Sequence, residues 1–185
     1  RIDAVILTNP PSLAGIVVNE VMANNRSFPN SDGTTTDWIE LYNPSDAGVD
    51  LEDMSLTDNT LNPRRWVFPA GSAVPARGYL VVRFDPDTLP TTNSSTTLNT
   101  GFGLAATGDE VYLFDRPADG GTLVDAIVFG IQAPDWSIGR FADGADNWVL
   151  TQPTQGGVNL DTALGDPMQL KVNEWLADPL PGKDD

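Results

Sequence analysis

Every apolar run in this 185-residue chain is cut by a cluster of Gly, Pro, Asn or Asp before a helical period can establish itself. Several of the runs alternate with period two. Ile39 and Leu41 fall on one face while Trp38, Glu40 and Tyr42 fall on the other, and Val111 and Leu113 oppose Tyr112 and Phe114. Strands are expected at 16–22, 38–42, 49–56, 65–68, 79–84, 110–114, 123–129, 137–141 and 148–150. The connectors supply the reversals, since Asn43-Pro44-Ser45-Asp46-Ala47-Gly48 and Pro117-Ala118-Asp119-Gly120-Gly121 pre-set φ or tolerate positive φ. Short strands at this spacing predict an all-β fold, a sandwich or barrel. Apolar bulk on both faces of many strands predicts that both are covered.

Composition sharpens the class. The chain has 21 Asp but only 5 Glu, with 17 Gly and 15 Pro, a bias toward turns and away from helix interiors. Its net charge of −16 opposes approach to a duplex or an anionic bilayer, so neither nucleic acid nor direct membrane contact is expected. With no His and no Cys, the imidazole base, the Ser-His-Asp and Cys-His nucleophiles, the common zinc sites and disulfides are all excluded. No apolar run approaches the roughly 20 residues of a spanning helix. The chain opens on Arg1 rather than Met, which reads as a piece of something longer, so the lack of a leader here carries no weight.

Two further features concern organisation. The stretch 86–100 contains Thr91-Thr92-Asn93-Ser94-Ser95-Thr96-Thr97, a polar tract expected to bury little and to form a long mobile loop. The second feature is a repeat. Val17-Val18-Asn19-Glu20-Val21-Met22-Ala23 returns as Lys171-Val172-Asn173-Glu174-Trp175-Leu176-Ala177, with Val, Asn, Glu and Ala matching in place. That period exceeds the roughly 20 to 50 residues of solenoid repeats and suits tandem copies of a whole domain. The expected layout is an N-terminal extension at 1–14, a domain at 15–158, a linker at 159–169 and the first strand of a second copy at 170–185.

Taken in order, the runs resemble the lamin tail domain, the immunoglobulin-like module at the tail of nuclear lamins and in many bacterial extracellular proteins. The resemblance covers about 15–158. It is carried by Val17-Val18-Asn19-Glu20-Val21-Met22, Asp37-Trp38-Ile39-Glu40-Leu41-Tyr42-Asn43-Pro44, Val49-Asp50-Leu51, Leu56-Thr57-Asp58-Asn59, Trp66-Val67-Phe68-Pro69-Ala70-Gly71, Val74-Pro75 with Gly78-Tyr79-Leu80-Val81-Val82, Phe102-Gly103-Leu104, Gly108-Asp109-Glu110-Val111-Tyr112-Leu113 and Leu123-Val124-Asp125. Met54 stands where the bacterial pattern has an aromatic residue, and the Thr/Ser tract is a second departure. Met can fill an irregular apolar gap, and loops tolerate insertion.

The resemblance implies an immunoglobulin-like β-sandwich and a non-catalytic interaction, adhesion or spacer module. It also implies a larger secreted or cell-surface bacterial protein, with other protein domains or extracellular polymers as partners. The alternative is a calcium- or glycan-binding accessory domain attached to an extracellular enzyme. The motif residues are Asn19, Glu20, Trp38, Glu40, Tyr42, Asn43 and Asp58.

The chemistry-bearing candidates are few. Glu20 and Glu40, with Asp37 and Asp58, could act as a glycosidase-type carboxylate pair, or could cap turns or pair with Arg64, Arg65, Arg83 or Arg140. The structural alternative is favoured. No cofactor is expected beyond calcium, for which Asn30, Asp32 and Asp37 in one loop and Asp143 and Asp146 in another offer hard oxygen ligands; neither loop matches an EF-hand. Asp-Gly clusters are more often plain turns. Among the tryptophans, Trp136 in Ala133-Pro134-Asp135-Trp136-Ser137 is the one a loop could display for glycan stacking. Ser137 lacks any histidine base. An orphan apolar strand at 170–176 would seek a sheet edge on its own sandwich or exchange into a dimer.

Overall fold

The computed structural model describes residues 15–93, 97–165 and 168. Thirteen strands alternate with turns: β1 Val17–Met22, β2 Asp37–Tyr42, β3 Val49–Asp50, β4 Ser55–Thr57, β5 Trp66–Val67, β6 Ala73–Val74, β7 Tyr79–Phe84, β8 Leu98–Asn99, β9 Asp109–Phe114, β10 Leu123–Phe129, β11 Ser137–Arg140, β12 Trp148–Gln152 and β13 Leu160–Asp161. One 3-10 turn, Pro117–Asp119, joins β9 to β10.

The strands form a seven-stranded sheet in the order β13-β12-β11-β1-β2-β7-β8 and a four-stranded sheet in the order β10-β9-β4-β5. A two-stranded ribbon, β3-β6, stands apart. All pairs are antiparallel except β7 with β8. This is the expected immunoglobulin-like sandwich, and alternation explains its core. Val18, Val21, Ile39, Leu41, Val82 and Ile138 face inward from one sheet, and Leu56, Phe68, Val111, Leu113 and Ile127 are buried with them in one cluster. Met54 is 1% exposed in the same cluster, where its unbranched side chain fills a gap in the core.

Three expectations need correction. The run 49–56 is not one strand: the chain turns at Asp53, whose φ is 66°, while Glu52 N–H donates to Asp50 Oδ1 and Met54 N–H to the Leu51 carbonyl. Asp tolerates the left-handed region and closes such turns with its own side chain. The excursion 86–100 is anchored at its base, because Asn99 is buried and its amide donates to the carbonyls of Asp85, Thr88 and Leu89. β8 then lies against β7. The sheet also runs past Val158, since β13 pairs with β12 inside the segment expected to be linker. Residues 1–14 and the repeat at 170–176 lie outside the described residues.

Candidate functional site

Two glutamates sit inside otherwise largely apolar strands. Glu20 of β1 and Glu40 of β2 are register partners, and both are fully buried. The register between β1 and β2 slips by one residue between Val18 and Glu20, which makes Asn19 the extra residue of a β-bulge. Strict alternation would put Asn19 and Glu20 on opposite faces. The bulge lets Asn19 join Glu20 on the outer face, where its amide lies 3.4 Å from Glu40 Oε1 and 3.2 Å from Asp143 Oδ1.

The outer face is closed by the segment between β12 and β13 and by the turn between β11 and β12. Thr154 gives its N–H to Glu20 at 3.2 Å and its hydroxyl at 3.1 Å. Gly156 N–H donates to Glu40 Oε2 at 2.6 Å. Ser137 Oγ reaches Glu20 Oε1 and also lies 3.2 Å from the Thr151 carbonyl. Asp143 accepts from the Tyr79 hydroxyl and from Asn159 N–H. The Asn159 amide in turn donates to the carbonyls of Asn19 and Arg140. A Cβ on Gly139 would sit 2.6 Å from the Asn159 amide nitrogen, so glycine is what lets that amide approach β11.

Burial dominates the electrostatics. It raises Glu20 to about 7, against the pull of the Ser137 and Thr154 hydrogen bonds. Glu40 is raised further, to about 8, by burial and then by the charge of Glu20, with the Gly156 bond opposing. Burial and the Asp143 carboxylate together push the Tyr79 hydroxyl well above its ordinary range. A carboxyl is expected to stay neutral in such a place when removal from water outweighs its donors.

On the inner side of the same bulge, Asp125 Oδ2 accepts the Val18 N–H at 2.7 Å and Arg140 Nε donates to the Val18 carbonyl at 2.7 Å. The Arg140 guanidinium pairs with Asp125 at 3.1 Å and lies over the Trp148 ring. The bulge is thus held from both faces.

The other candidates are dispersed. Asp32 binds Arg83 and the Thr34 hydroxyl, Asn30 binds Thr34, Thr36 and Gln155, and Asp37 accepts Asn25 N–H. Asp146 pairs with Arg140, and Asp58 with Arg65. Among the described residues no group of three or more potential ligands is arranged to hold a metal ion. Asn43 spans the turn to the carbonyls of Ala47, Val74 and Pro75, Trp38 is buried, and Tyr42 packs on Tyr79 with ring centroids 5.0 Å apart. Trp136 is 37% exposed. A surface hollow of about 470 Å³ is lined in part by Asp50, Arg116 and Asp119, whose charges satisfy one another.

Of the carboxylates expected to cap turns or pair with arginine, Asp58 pairs with Arg65, whereas Glu20 and Glu40 are held by hydroxyl and amide donors. Asn159, Thr154 and the Asp125–Arg140 pair did not figure among the candidates. One signal was readable for the last, a charged Asp inside the apolar run Leu123-Val124-Asp125-Ala126-Ile127-Val128-Phe129.

A family model described as Lamin Tail Domain matches residues 9–130. No curated protein and no solved structure matches the chain. Ser137, Thr154, Gly156 and Asn159, which close the outer face, lie beyond the matched range.

Proposed function

The chain belongs to the lamin tail domain family, and from that premise we propose that it serves as a non-catalytic interaction or spacer module of a larger secreted or cell-surface protein. The observation that carries this reading is the sealing of Glu20 and Glu40. Glycoside hydrolysis needs two carboxyl groups that a substrate can reach from both sides of the scissile bond. Here both are fully buried and their oxygens are taken by Ser137, Thr154, Asn19 and Gly156. Ser137 is fully buried as well, which removes the remaining nucleophile from contact with solvent.

The −16 charge supports an exterior, polymer-contacting role over one on nucleic acid. In the same reading the repeat at 170–176 begins a second tandem copy, and strand exchange through it makes the chain dimeric. Equal solution masses for the full chain and one ending at Asp166 dispose of that exchange. For the module itself, the test incubates the purified chain with a panel of glycosides and polysaccharides. No turnover is expected; hydrolysis that disappears in Glu20→Gln and Glu40→Gln overturns the reading.

A second reading, a glycan-binding accessory domain, is favoured by Trp136, whose ring is partly exposed in the loop before β11. Saturable binding to one polysaccharide that is lost in Trp136→Ala would put this reading first.

A further inference from the structure

The segment 153–159 differs from the rest of the sandwich in how it is held. None of its residues belongs to the apolar core, and Val158 is 63% exposed. Its attachments are hydrogen bonds: Thr154 to Glu20, Gly156 to Glu40, the Gln155 amide to Asn30 at 2.6 Å, and Asn159 to Asn19 and Arg140. Two of these bonds end on a pair of buried carboxyls that face each other across β1 and β2.

We propose that residues 153–159 form a cover governed by the protonation of Glu20 and Glu40, closed over the outer face of the seven-stranded sheet while the pair holds a proton and lifted when both carboxyls are ionised. Two like charges fixed on opposite strand positions in a dry site repel, and among the described residues no cation is paired with either.

The surrounding elements bear this out. From β2 and β7 come the packed rings of Tyr42 and Tyr79, burial holding the Tyr79 phenol well above its ordinary range, and from the β11–β12 turn comes Asp143, which adds negative charge to both glutamates. The cation of β7 is Arg83, two positions from the row of Glu40, and it is engaged by Asp32. Arg140 of β11 directs its guanidinium to Asp125 and Asp146. β1 contributes only the neutral Asn19 and the β12–β13 segment only hydroxyl, amide and backbone donors.

The closed state accommodates a proton without a lost bond. A protonated Glu20 donates to Ser137 Oγ, whose own hydrogen then turns to the Thr151 carbonyl at 3.2 Å. With both groups charged, relief comes from admitting water. The element that can give way is the one attached by hydrogen bonds alone, since β1 and β2 are pinned by core side chains on their other face. The pH values at which burial places the two groups, about 7 and about 8, put this change within the range of natural waters.

Hydrogen exchange on the full chain, corrected for the intrinsic pH dependence of amide exchange, reads the cover directly at the Thr154 and Gly156 amides. Between pH 6 and pH 9 their protection should fall by at least about tenfold, while the Leu113 amide on the opposite sheet keeps its protection. Constant protection of Thr154 and Gly156 overturns the proposal, as does loss at Leu113 in step with them. In Glu40→Gln the two amides should stay protected through pH 9; equal loss there overturns it too. Should that variant not fold, carboxyl carbon shifts of the unaltered chain decide, because titration of both glutamates below pH 5 leaves no charge change to drive the cover.

Discussion

Arg140 and Asp125 join the two sheets of the sandwich through a buried ion pair, 3.1 Å between guanidinium and carboxylate, that grips the backbone of Val18 between them. β11 and β10 belong to different sheets, so the pair fixes their separation at the point where β1 bulges. Removing Asp125 leaves the buried Arg140 with only the exposed Asp146 as ion-pair partner and leaves the Val18 N–H without its acceptor. Asp125→Ala should therefore cost about 3–5 kcal/mol, and urea denaturation measures it. A loss under about 1 kcal/mol would mean that Asp146, already 3.0 Å from the guanidinium, suffices as the partner of Arg140.

The pair on the other face sets how stability depends on pH. Glu20 and Glu40 are raised by burial to about 7 and about 8, whereas in the unfolded chain each titrates near the ordinary value of 4.5. The folded state then binds more protons than the unfolded one across that interval. Their contribution is complete below pH 4.5 and is lost as pH rises through about 7 and about 8, by up to about 1.4 kcal/mol per pH unit for each group. Thermal melts should show the midpoint falling from pH 6 to pH 9, and the fall should be shallower in Glu20→Gln. A midpoint that rises over the same range contradicts the assignment.

Much of the sandwich was legible because period-two runs such as Trp38-Ile39-Glu40-Leu41-Tyr42 specify both a strand and its core face. β6, β8 and β13 were not, since strands of two residues owe their existence to a neighbour rather than to their own pattern. The site was half legible. Asn19, Glu20 and Glu40 stood out as polar residues in apolar strands, but Ser137 and Thr154 reach Glu20 from 117 and 134 residues downstream. No local spacing reports a contact of that range. The bulge was hidden for a related reason: it is a property of the pairing between β1 and β2, and it lets the consecutive residues Asn19 and Glu20 share the outer face.

Gly139 offers a test of the close packing behind the bulge. Its missing side chain leaves room for the Asn159 amide, which is held in place by the carbonyls of Asn19 and Arg140. Gly139→Ala forces that amide to move and to abandon at least one carbonyl. The expected cost is about 1–3 kcal/mol. Because the two residues collide directly, Asn159→Ala in the same chain should recover part of the loss, and a double-mutant cycle in urea should be non-additive. Additive losses would show that the strain lies elsewhere.

Leu113 and Trp136 separate packing from display. Leu113 is fully buried between Leu56 and Asp125, its register partners on β4 and β10, and it belongs to the central apolar cluster. Cutting it to Ala removes apolar contacts on every side and should cost about 2–5 kcal/mol. Trp136 is the larger side chain, yet with 37% of its surface in water and a place in a loop it has less to lose. Trp136→Ala should cost less than Leu113→Ala, about 1–2 kcal/mol, because part of its area is already in water. Chemical denaturation of the two variants side by side checks the contrast. A loss at Trp136 as large as at Leu113 would make the ring a packing element and withdraw the physical support for a glycan platform.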